Sequence, residues 1–306
     1  MPNAPTVEFI PFLAPGLHPG MDALAFGLAD ELELMSCALR VRPMRSGASI
    51  GQAQSGALHA ALKARADAVV LFVLDPCEPA HAVEEALSRG VPVISVHKPA
   101  YLVAGAVLVP NFYHGVLLSQ RLARALPSQA RIAIIGGPQI LDDEELVVGL
   151  IDGAKRSGLQ LLNDPFEARF RNLADVRGAG REVAERILNE LYPFDGLIVF
   201  NGETLHDVLD AVERRGLAGR FPIVSRNGSP AAVDAVKAGR TLATLDYGLP
   251  ELGRAAGRLA VAALADRSLT EQVDMPVVGT IIDEHNASEY SPWHERAAPR
   301  NLFVAR

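Results

Sequence analysis

The chain has 306 residues, of which 49% are hydrophobic and 21% are charged, and its formal net charge is −7. This length predicts two domains of ordinary globular composition. The negative charge argues against a nucleic-acid-binding surface, which needs a basic face. The two cysteines, Cys37 and Cys77, provide neither a disulfide framework nor a cysteine-based zinc site.

Ten short apolar segments alternate with amphipathic segments along the chain. Most are continuous apolar runs, such as AVVLFVL at 68–74, which is typical of parallel strands buried on both faces. The segments between them, such as GAGREVAERILNEL, have helical periodicity, and several end at glycine. The alternation predicts an α/β fold of doubly wound parallel sheets. The predicted strands are 7–13, 37–44, 68–74, 91–96, 105–110, 131–137, 159–165, 196–200, 222–226 and 241–247.

One βαβ pattern occurs in each half of the chain. Residues 67–98 and residues 195–227 both begin with Asp and an apolar strand, continue through a polar turn and a helix, and end in a second apolar strand. The second strands lead into the polar pairs His97-Lys98 and Arg226-Asn227. Ligands of open parallel sheets bind beyond the carboxyl ends of the strands. The sequence therefore predicts that these pairs line one small-molecule cleft from two sides.

Several further blocks carry a resemblance to a known family. They are VPNFYHG, GLIVFNGET, PIVSRNG, AVKAGRTLATLDY and LPELGRAAGRLAVAAL, together with the strand-helix-strand block at 67–98. In this order they resemble the type I periplasmic binding-protein family, from VEFIPFL to about Pro276. That family includes the sugar-binding components of ABC importers and the effector domains of lac-repressor-type regulators.

The resemblance implies two Rossmann-like lobes joined by a hinge of three crossings. The crossings are expected near Asn111–Gly115, Asp246–Leu249 and Pro276–Gly279. The C-terminal tail is expected to pack along lobe two, with Tyr290 and Trp293 reaching the cleft as the alternative. The expected lobes are 1–112 plus 248–275, and 113–247 plus 276–306.

The resemblance also places the ligand-binding residues, with departures. Sugar binders of the family carry an Asp-Arg pair where this chain has His97 and Lys98, so a carboxylate is lost and a cation is kept. An Asn is frequent at the position of Asn201, and an Arg of the helix after the sixth strand is matched by Leu150. The residues expected to bind ligand are His18, Asp75, His97, Lys98, Phe170, Arg171, Asn201, Glu203, Arg226, Asn227, Asp246 and Tyr247.

These side chains leave the charge of the ligand open. Carboxylates accept hydrogen bonds from hydroxyl groups, and cations donate to ring oxygens, so the mixed set suits a sugar or a polyol. Two cations, Lys98 and Arg226, would equally suit the carboxylate of a sugar acid.

No enzyme or cofactor motif accompanies this set. The sequence lacks HExxH, GxSxG and a P-loop, and GGPQ at 136–139 is too short for a dinucleotide fingerprint. Four acids, Asp142 to Glu145, could indicate a metal site, but their position at the start of a helical pattern favours a helix N-terminus. We therefore expect a binding protein with no cofactor and no metal.

The predicted function is capture of a small polar ligand in an interlobe cleft and delivery to the permease of an ABC importer. We expect a monomer without nucleic-acid binding or membrane insertion. Periplasmic localisation is implied although MPNAPTVEFI shows no signal peptide, and a cytoplasmic location stays open. The alternative is a ligand-sensing domain of a transcription regulator or signalling receptor. A regulator would need a DNA-binding module, and six residues precede VEFIPFL.

Overall fold

The computed structural model describes residues 4–45, 49–266 and 272–305. The chain divides into two compact units, each built around one six-stranded sheet. Unit 1 comprises residues 1–109, 249–277 and 293–306, and unit 2 comprises residues 110–248 and 278–292.

The strands of the described residues are β1 (Thr6–Ile10), β2 (Ala38–Val41), β3 (Ala68–Phe72), β4 (Val93–Val96), β5 (Gly105–Leu108), β6 (Arg131–Ile135), β7 (Gln160–Leu161), β8 (Gly196–Val199), β9 (Ile223–Arg226), β10 (Ala243–Asp246), β11 (Val273–Pro276) and β12 (Thr280–Asp283). The helices are α1 (Pro19–Leu34), α2 (Ile50–Lys63), α3 (Ala80–Ser88), α4 (Asn111–Ala123), α5 (Leu141–Arg156), α6 (Arg181–Glu190), α7 (Gly202–Arg214), α8 (Pro230–Lys237), α9 (Leu249–Ala265) and α10 (Trp293–Arg296). Among the described residues, no helix combines the length and the hydropathy needed to cross a bilayer.

The two sheets have corresponding strand orders. Unit 1 has the order β11-β5-β4-β3-β1-β2 with every neighbouring pair parallel. Unit 2 has the order β12-β10-β9-β8-β6-β7, parallel except where β12 pairs antiparallel with β10. The inner strands β3, β4, β8 and β9 are buried along their whole length, as continuous apolar runs between two helical layers require. The predicted α/β class is therefore confirmed.

The repeat also extends to the first strand of each unit. The Asp67 carboxylate accepts a hydrogen bond from the Thr6 backbone N–H at 2.8 Å, and the Asp195 carboxylate accepts one from the Arg131 backbone N–H at 2.7 Å. Each aspartate precedes the central strand of its sheet and satisfies the N–H group that opens the neighbouring strand. The shared Asp of the two sequence blocks thus has one structural role in both units.

Each unit packs one close helix pair through glycine. A Cβ atom at Gly27 of α1 would lie 2.0 Å from the Pro250 carbonyl oxygen of α9. In unit 2, a Cβ at Gly149 of α5 would lie 2.0 Å from the Phe112 carbonyl oxygen of α4. Only glycine allows the backbones of these helices to come this close. The paired helices cover one face of each sheet.

All ten predicted strands are present, but β11 and β12 were not predicted. Strand β11 pairs with β5 and strand β12 with β10, at the ends of the two sheets. Their sequences, VDMP and TIID, are short, and most of their residues are partly exposed. The apolar pattern that marks a buried strand is therefore weak in both.

The C-terminal tail is divided between the units: residues 278–292 belong to unit 2, whereas residues 293–306 belong to unit 1, contrary to the expectation that the whole tail packs along lobe two. Trp293 is buried there, and the Arg300 guanidinium pairs with Glu33 of α1 at 2.8 Å. Val304 then forms a parallel bridge with Val41 of β2, which extends the edge of the sheet. Within the described residues the chain passes between the units after Val109, Gly248, Val277 and Pro292.

Candidate functional site

In unit 1, His97 follows β4 at the carboxyl end of the sheet. Its backbone has a φ of 73°, a left-handed conformation that is uncommon outside glycine. The backbone N–H of His97 donates to the Val107 carbonyl at 3.0 Å, and its buried ring meets the edge of Phe72 at a centroid distance of 4.9 Å. His97 is thus held rigidly at the edge where the sequence placed it.

Asp75 and Gln54 shape the loop after β3. The Gln54 amide donates to the Phe72 carbonyl at 2.7 Å and accepts from the Leu74 and Asp75 N–H groups at 3.1 Å. An Asp75 carboxylate oxygen accepts from the N–H groups of the next turn, including that of Cys77 at 2.8 Å. Asp75 therefore acts as a turn residue with part of its carboxylate already used.

His18 is buried and begins α1. Its Nδ1 accepts from the Gly20 N–H at 3.1 Å and from the Met21 N–H at 3.3 Å. An imidazole that accepts at Nδ1 carries its proton at Nε2 when neutral, so His18 presents a donor on its other side. The loop APGLHPGM is thus a helix-capping loop with one fixed imidazole.

Lys98 does not join these residues. Its side chain is 63% exposed and lies 3.5 Å from the Asp274 carboxylate. An exposed pair of this kind contributes little binding or stability. The cation that the sequence kept at this position is a surface charge.

In unit 2, a buried cluster of acids surrounds Arg226, the last residue of β9. The Arg226 guanidinium hydrogen-bonds to Asp143, lies 3.4 Å from Asp142 Oδ2, and sits 5.0 Å from the centroid of the Tyr247 ring. Asp142 and Asp143 belong to the first turn of α5, so they are helix N-terminal acids as expected. They are also buried partners of Arg226, which was not predicted.

The fourth member of the cluster is Asp175, from the irregular segment before α6. It is buried and accepts a hydrogen bond from the Asn201 side-chain amide. Asn201 in turn caps the N-terminus of α7, where its side-chain oxygen Oδ1 accepts from the Thr204 N–H at 3.0 Å. We refer to Asp142, Asp143, Asp175 and Arg226 as the acid–arginine cluster.

Burial dominates the electrostatics of this cluster. It raises the pKa of Asp143 well above its usual range, and Asp142 raises it further, while Arg226 opposes both. Burial likewise raises the pKa of Asp175 well above its usual range, against the hydrogen bond from Asn201 and the charge of Arg226. Burial works to lower the pKa of Arg226, but Asp143, Tyr247 and Asp142 raise it above its ordinary value. Arg226 therefore stays charged, and the acids are incompletely compensated.

Polar atoms of the cluster still lack partners among the described residues. They include Arg226 Nε and Nη1, Asp142 Oδ1 and, in the next residue, Asn227 Oδ1. Buried polar groups are nearly always hydrogen-bonded, so donors and acceptors here are arranged for a further partner. Asn227 has a φ of 86°, which turns the chain sharply after β9.

Asp246 and Tyr247 stand at the end of β10 as predicted, but both have structural partners. The Asp246 carboxylate accepts from the Gly248 N–H at 3.0 Å and from the Tyr290 hydroxyl. Tyr247 is buried under Arg226. Glu203 is partly buried in the first turn of α7, near enough to raise the pKa of Asp175.

The expectation that Phe170 and Arg171 contact ligand is corrected by their surroundings. Phe170 packs inside the apolar core of unit 2 and is 1% exposed. The buried Arg171 donates to the carbonyls of Gly137 and Pro138 at 2.5 and 2.6 Å and to Glu144 at 2.5 Å. Arg171 therefore holds the loop between β6 and α5, the loop that presents the acids of the cluster.

Leu150, which the resemblance matched to a family arginine, does not lie with these residues. Leu150 is buried in the middle of α5, whereas the residues at the carboxyl end of the sheet come from the first turn of that helix. The sequence signal was available, because GGPQILDDEE follows the strand RIAII directly. For Asp175 no comparable signal exists, since it lies in an irregular segment.

A family model described as a periplasmic binding protein domain matches residues 18–268. The chain belongs to the periplasmic binding protein family. It is therefore a binding protein and not an enzyme, as predicted. Among the described residues, no group of three or more His, Cys, Asp or Glu side chains is arranged to hold a metal ion.

Solved structures of this family share the fold at low identity. A myo-inositol binding protein from Caulobacter is 22% identical, with 96% of this chain and 97% of that chain covered and a TM-score of 0.79. A periplasmic solute-binding protein of an ABC transporter from Actinobacillus succinogenes is 19% identical, with 94% and 100% covered and a TM-score of 0.79. A glucose-galactose binding protein from Geobacillus stearothermophilus is 18% identical, with 92% and 98% covered and a TM-score of 0.79. No curated protein sequence matches the chain significantly.

Proposed function

We propose that this periplasmic binding protein captures a small polyhydroxylated ligand, a sugar or a cyclic polyol, as the solute-binding component of an ABC importer. The observation that carries the proposal is the acid–arginine cluster with Asn201 and Asn227 at the carboxyl end of the unit 2 sheet. It combines unpartnered donors on Arg226 with unpartnered acceptors on Asp142 and Asn227 among the described residues. Hydroxyl groups both donate and accept, so a polyol matches this set.

Two buried imidazoles at the carboxyl end of the unit 1 sheet also support the proposal. His18 and His97 are both buried at the carboxyl end of their sheet and held by backbone hydrogen bonds. Side chains that are held before the ligand arrives lose little entropy on binding. We propose that these two residues contact ligand, while Lys98 does not.

Proteins of the same fold support the ligand class. The structure from Actinobacillus succinogenes has D-allose bound, and the one from Caulobacter has myo-inositol bound. Both ligands are small, uncharged and rich in hydroxyl groups. The buried acids of this chain argue against an anionic ligand, because a ligand carboxylate would enter a site where acids outnumber the guanidinium. A sugar acid is therefore the least favoured of the three ligand types.

Delivery to a permease and a periplasmic location are part of the proposal and follow from the family. The test of delivery is uptake of the labelled ligand by cells that contain or lack this chain, with the transporter otherwise intact. Loss of uptake without the chain supports the importer component. Unchanged uptake, together with ligand binding in vitro, would instead favour a sensing domain.

Binding itself is tested by thermal unfolding of the purified chain with hexoses, pentoses, inositols and their acids. A ligand at 100 times its dissociation constant adds about 2.7 kcal/mol and raises the melting temperature by several degrees. The variant Asp142→Asn should weaken binding at least about tenfold, since a charged hydrogen-bond acceptor is lost. Glu213→Gln, which changes an exposed acid of the same unit, is the matched control. Equal binding by both variants would exclude the cluster as the site.

A further inference from the structure

The acid–arginine cluster holds more negative charge than a neutral sugar needs. Its three aspartates outnumber its guanidinium three to one, and all four side chains are buried. Glu203 adds a further acid close enough to act on Asp175. Arg171 is near enough to act on Asp143, but it is already paired with Glu144 at 2.5 Å.

Arg226 alone does not satisfy these acids. Its Nη2 takes up both contacts with α5, the hydrogen bond to Asp143 and the approach to Asp142 at 3.4 Å. Asp142 Oδ1 has no partner among the described residues, although Asp142 is 2% exposed. Asp175 accepts a hydrogen bond from the neutral amide of Asn201 and shares the charge of Arg226 with Asp142 and Asp143. Three buried carboxylates that share one guanidinium are incompletely compensated, which is unfavourable in a buried site.

We infer that the ligand of this site is a polyol that carries an ammonium group, such as an amino sugar or an aminocyclitol. The inference rests on the proposed function and specifies its ligand class. An ammonium has three donors and no acceptor, so it suits a site of unpartnered carboxylate oxygen. The hydroxyl groups of the same ligand suit Arg226 Nε and Nη1 and Asn227 Oδ1, which need both acceptors and donors.

The experiment compares matched ligands that differ in one group. The probes are D-glucose, D-glucosamine and D-glucuronate, the same three forms of D-galactose, and myo-inositol with an aminodeoxyinositol. Titration calorimetry at about pH 6.5 keeps the amines mostly protonated, since simple α-amino groups titrate near 7.7–8.0. At least one amino form should bind at least about tenfold more tightly than its hydroxyl parent, and the acid forms should bind least.

Two variants locate the effect. Asp175→Asn removes one buried acid with little change of shape, and the preference for the amino form should fall at least about threefold while the hydroxyl parent still binds. Asp210→Asn removes an exposed acid of α7 and should leave the preference unchanged. Thermal unfolding of both variants confirms that they are folded. An Asp175→Asn protein that keeps the full preference would overturn the assignment to this cluster.

The outcomes separate this inference from the proposed function. If the hydroxyl parents bind as tightly as the amino forms, the inference fails and the polyol-binding function stands. If the acid forms bind most tightly, the inference fails and the ligand is an anion. If none of the hydroxyl, amino or acid probes binds, both the inference and the proposed function are contradicted.

Discussion

The two units share a backbone plan but differ at the last residue of one strand. Val96 ends β4 in unit 1 and Arg226 ends β9 in unit 2, and each is followed by a residue of positive φ, His97 or Asn227. Val96 needs only apolar neighbours. Arg226 needs buried countercharges, which Asp142 and Asp143 supply. The last residue of this strand therefore decides the chemistry of the sheet edge, which carries a charged cluster in unit 2 and buried histidines in unit 1.

This correspondence also changes the alignment of the polar exits. The sequence paired His97-Lys98 with Arg226-Asn227, but the structure pairs His97 with Asn227, one residue later in the second block. Lys98 consequently has no equivalent in the cluster and lies at the surface, whereas Arg226 is buried.

The largest expected effect on stability comes from removing Arg226, which has no charged counterpart at the end of β4. In Arg226→Met the buried acids lose their countercharge, so the free energy of unfolding should fall by about 3–5 kcal/mol, measured by urea denaturation. Adding Asp142→Asn and Asp143→Asn should recover much of the loss. Arg240→Met, at a half-exposed pair in the same unit, should change stability by less than about 1 kcal/mol. Similar losses for the two arginine variants would contradict the role of the cluster.

The next effect concerns the start of the equivalent helices α3 and α7. Asn201 caps α7 and holds Asp175, whereas Pro79 precedes α3 without a side-chain cap. Asn201→Ala should lower the unfolding free energy by about 1–2 kcal/mol and also weaken ligand binding. Ser229→Ala removes the cap of α8, should have about half this effect, and serves as the control. If Asn201→Ala left ligand affinity intact, Asn201 would be only a cap.

Asp67 and Asp195 occupy equivalent positions in the two units, so their removal should lower stability by similar amounts. Asp67→Ala and Asp195→Ala each remove the acceptor for a strand-opening N–H, so each should lose about 1 kcal/mol in urea denaturation. Asp67 should lose slightly more, since its hydrogen bond is more buried. A loss of stability for only one of the two variants would show that the two aspartates do not stabilise their units in the same way.

The acid excess predicts an effect of pH on the unliganded protein. Asp175 faces Asp142 of α5, Glu203 and Asn201 of α7, and Arg226, and its folded pKa is raised above 3.8. The folded state therefore binds its proton more tightly, so this group destabilises the protein as pH rises above about 4. Asp175→Asn should reduce the fall in melting temperature between acid and neutral pH. A larger fall in the melting temperature of that variant would contradict a raised pKa of Asp175.

The smallest effect is expected at Lys98, which the sequence predicted to bind ligand but which is exposed in the structure. Lys98→Met should change stability by less than about 0.5 kcal/mol, because the pair with Asp274 is exposed. Ligand affinity, measured by calorimetry, should be unchanged within about twofold. A large loss of affinity would return Lys98 to the site.

Local patterns located most of the fold and part of the site. Apolar runs located all ten predicted strands, most clearly the inner ones, because burial on both faces leaves a continuous apolar signal. Asn201, Arg226 and Asn227 were singled out because they lie at the ends of such strands or just after them. Asp142 and Asp143 were seen but interpreted only as helix N-terminal acids, since their partner is more than eighty residues away in sequence. Asp175 was missed as a member of the cluster, because irregular segments have no periodicity to interpret.

The sequence alone determined the α/β class and the repeated βαβ unit, since each follows from short-range periodicity and spacing, and its blocks such as GLIVFNGET and PIVSRNG carried the family resemblance. Tertiary structure decided which charged residues are buried together. It placed Arg226 against acids from a distant helix, exposed Lys98 to solvent and brought residues 293–306 to unit 1. Charge and burial depend on neighbours from several elements, and only the folded chain brings those elements together.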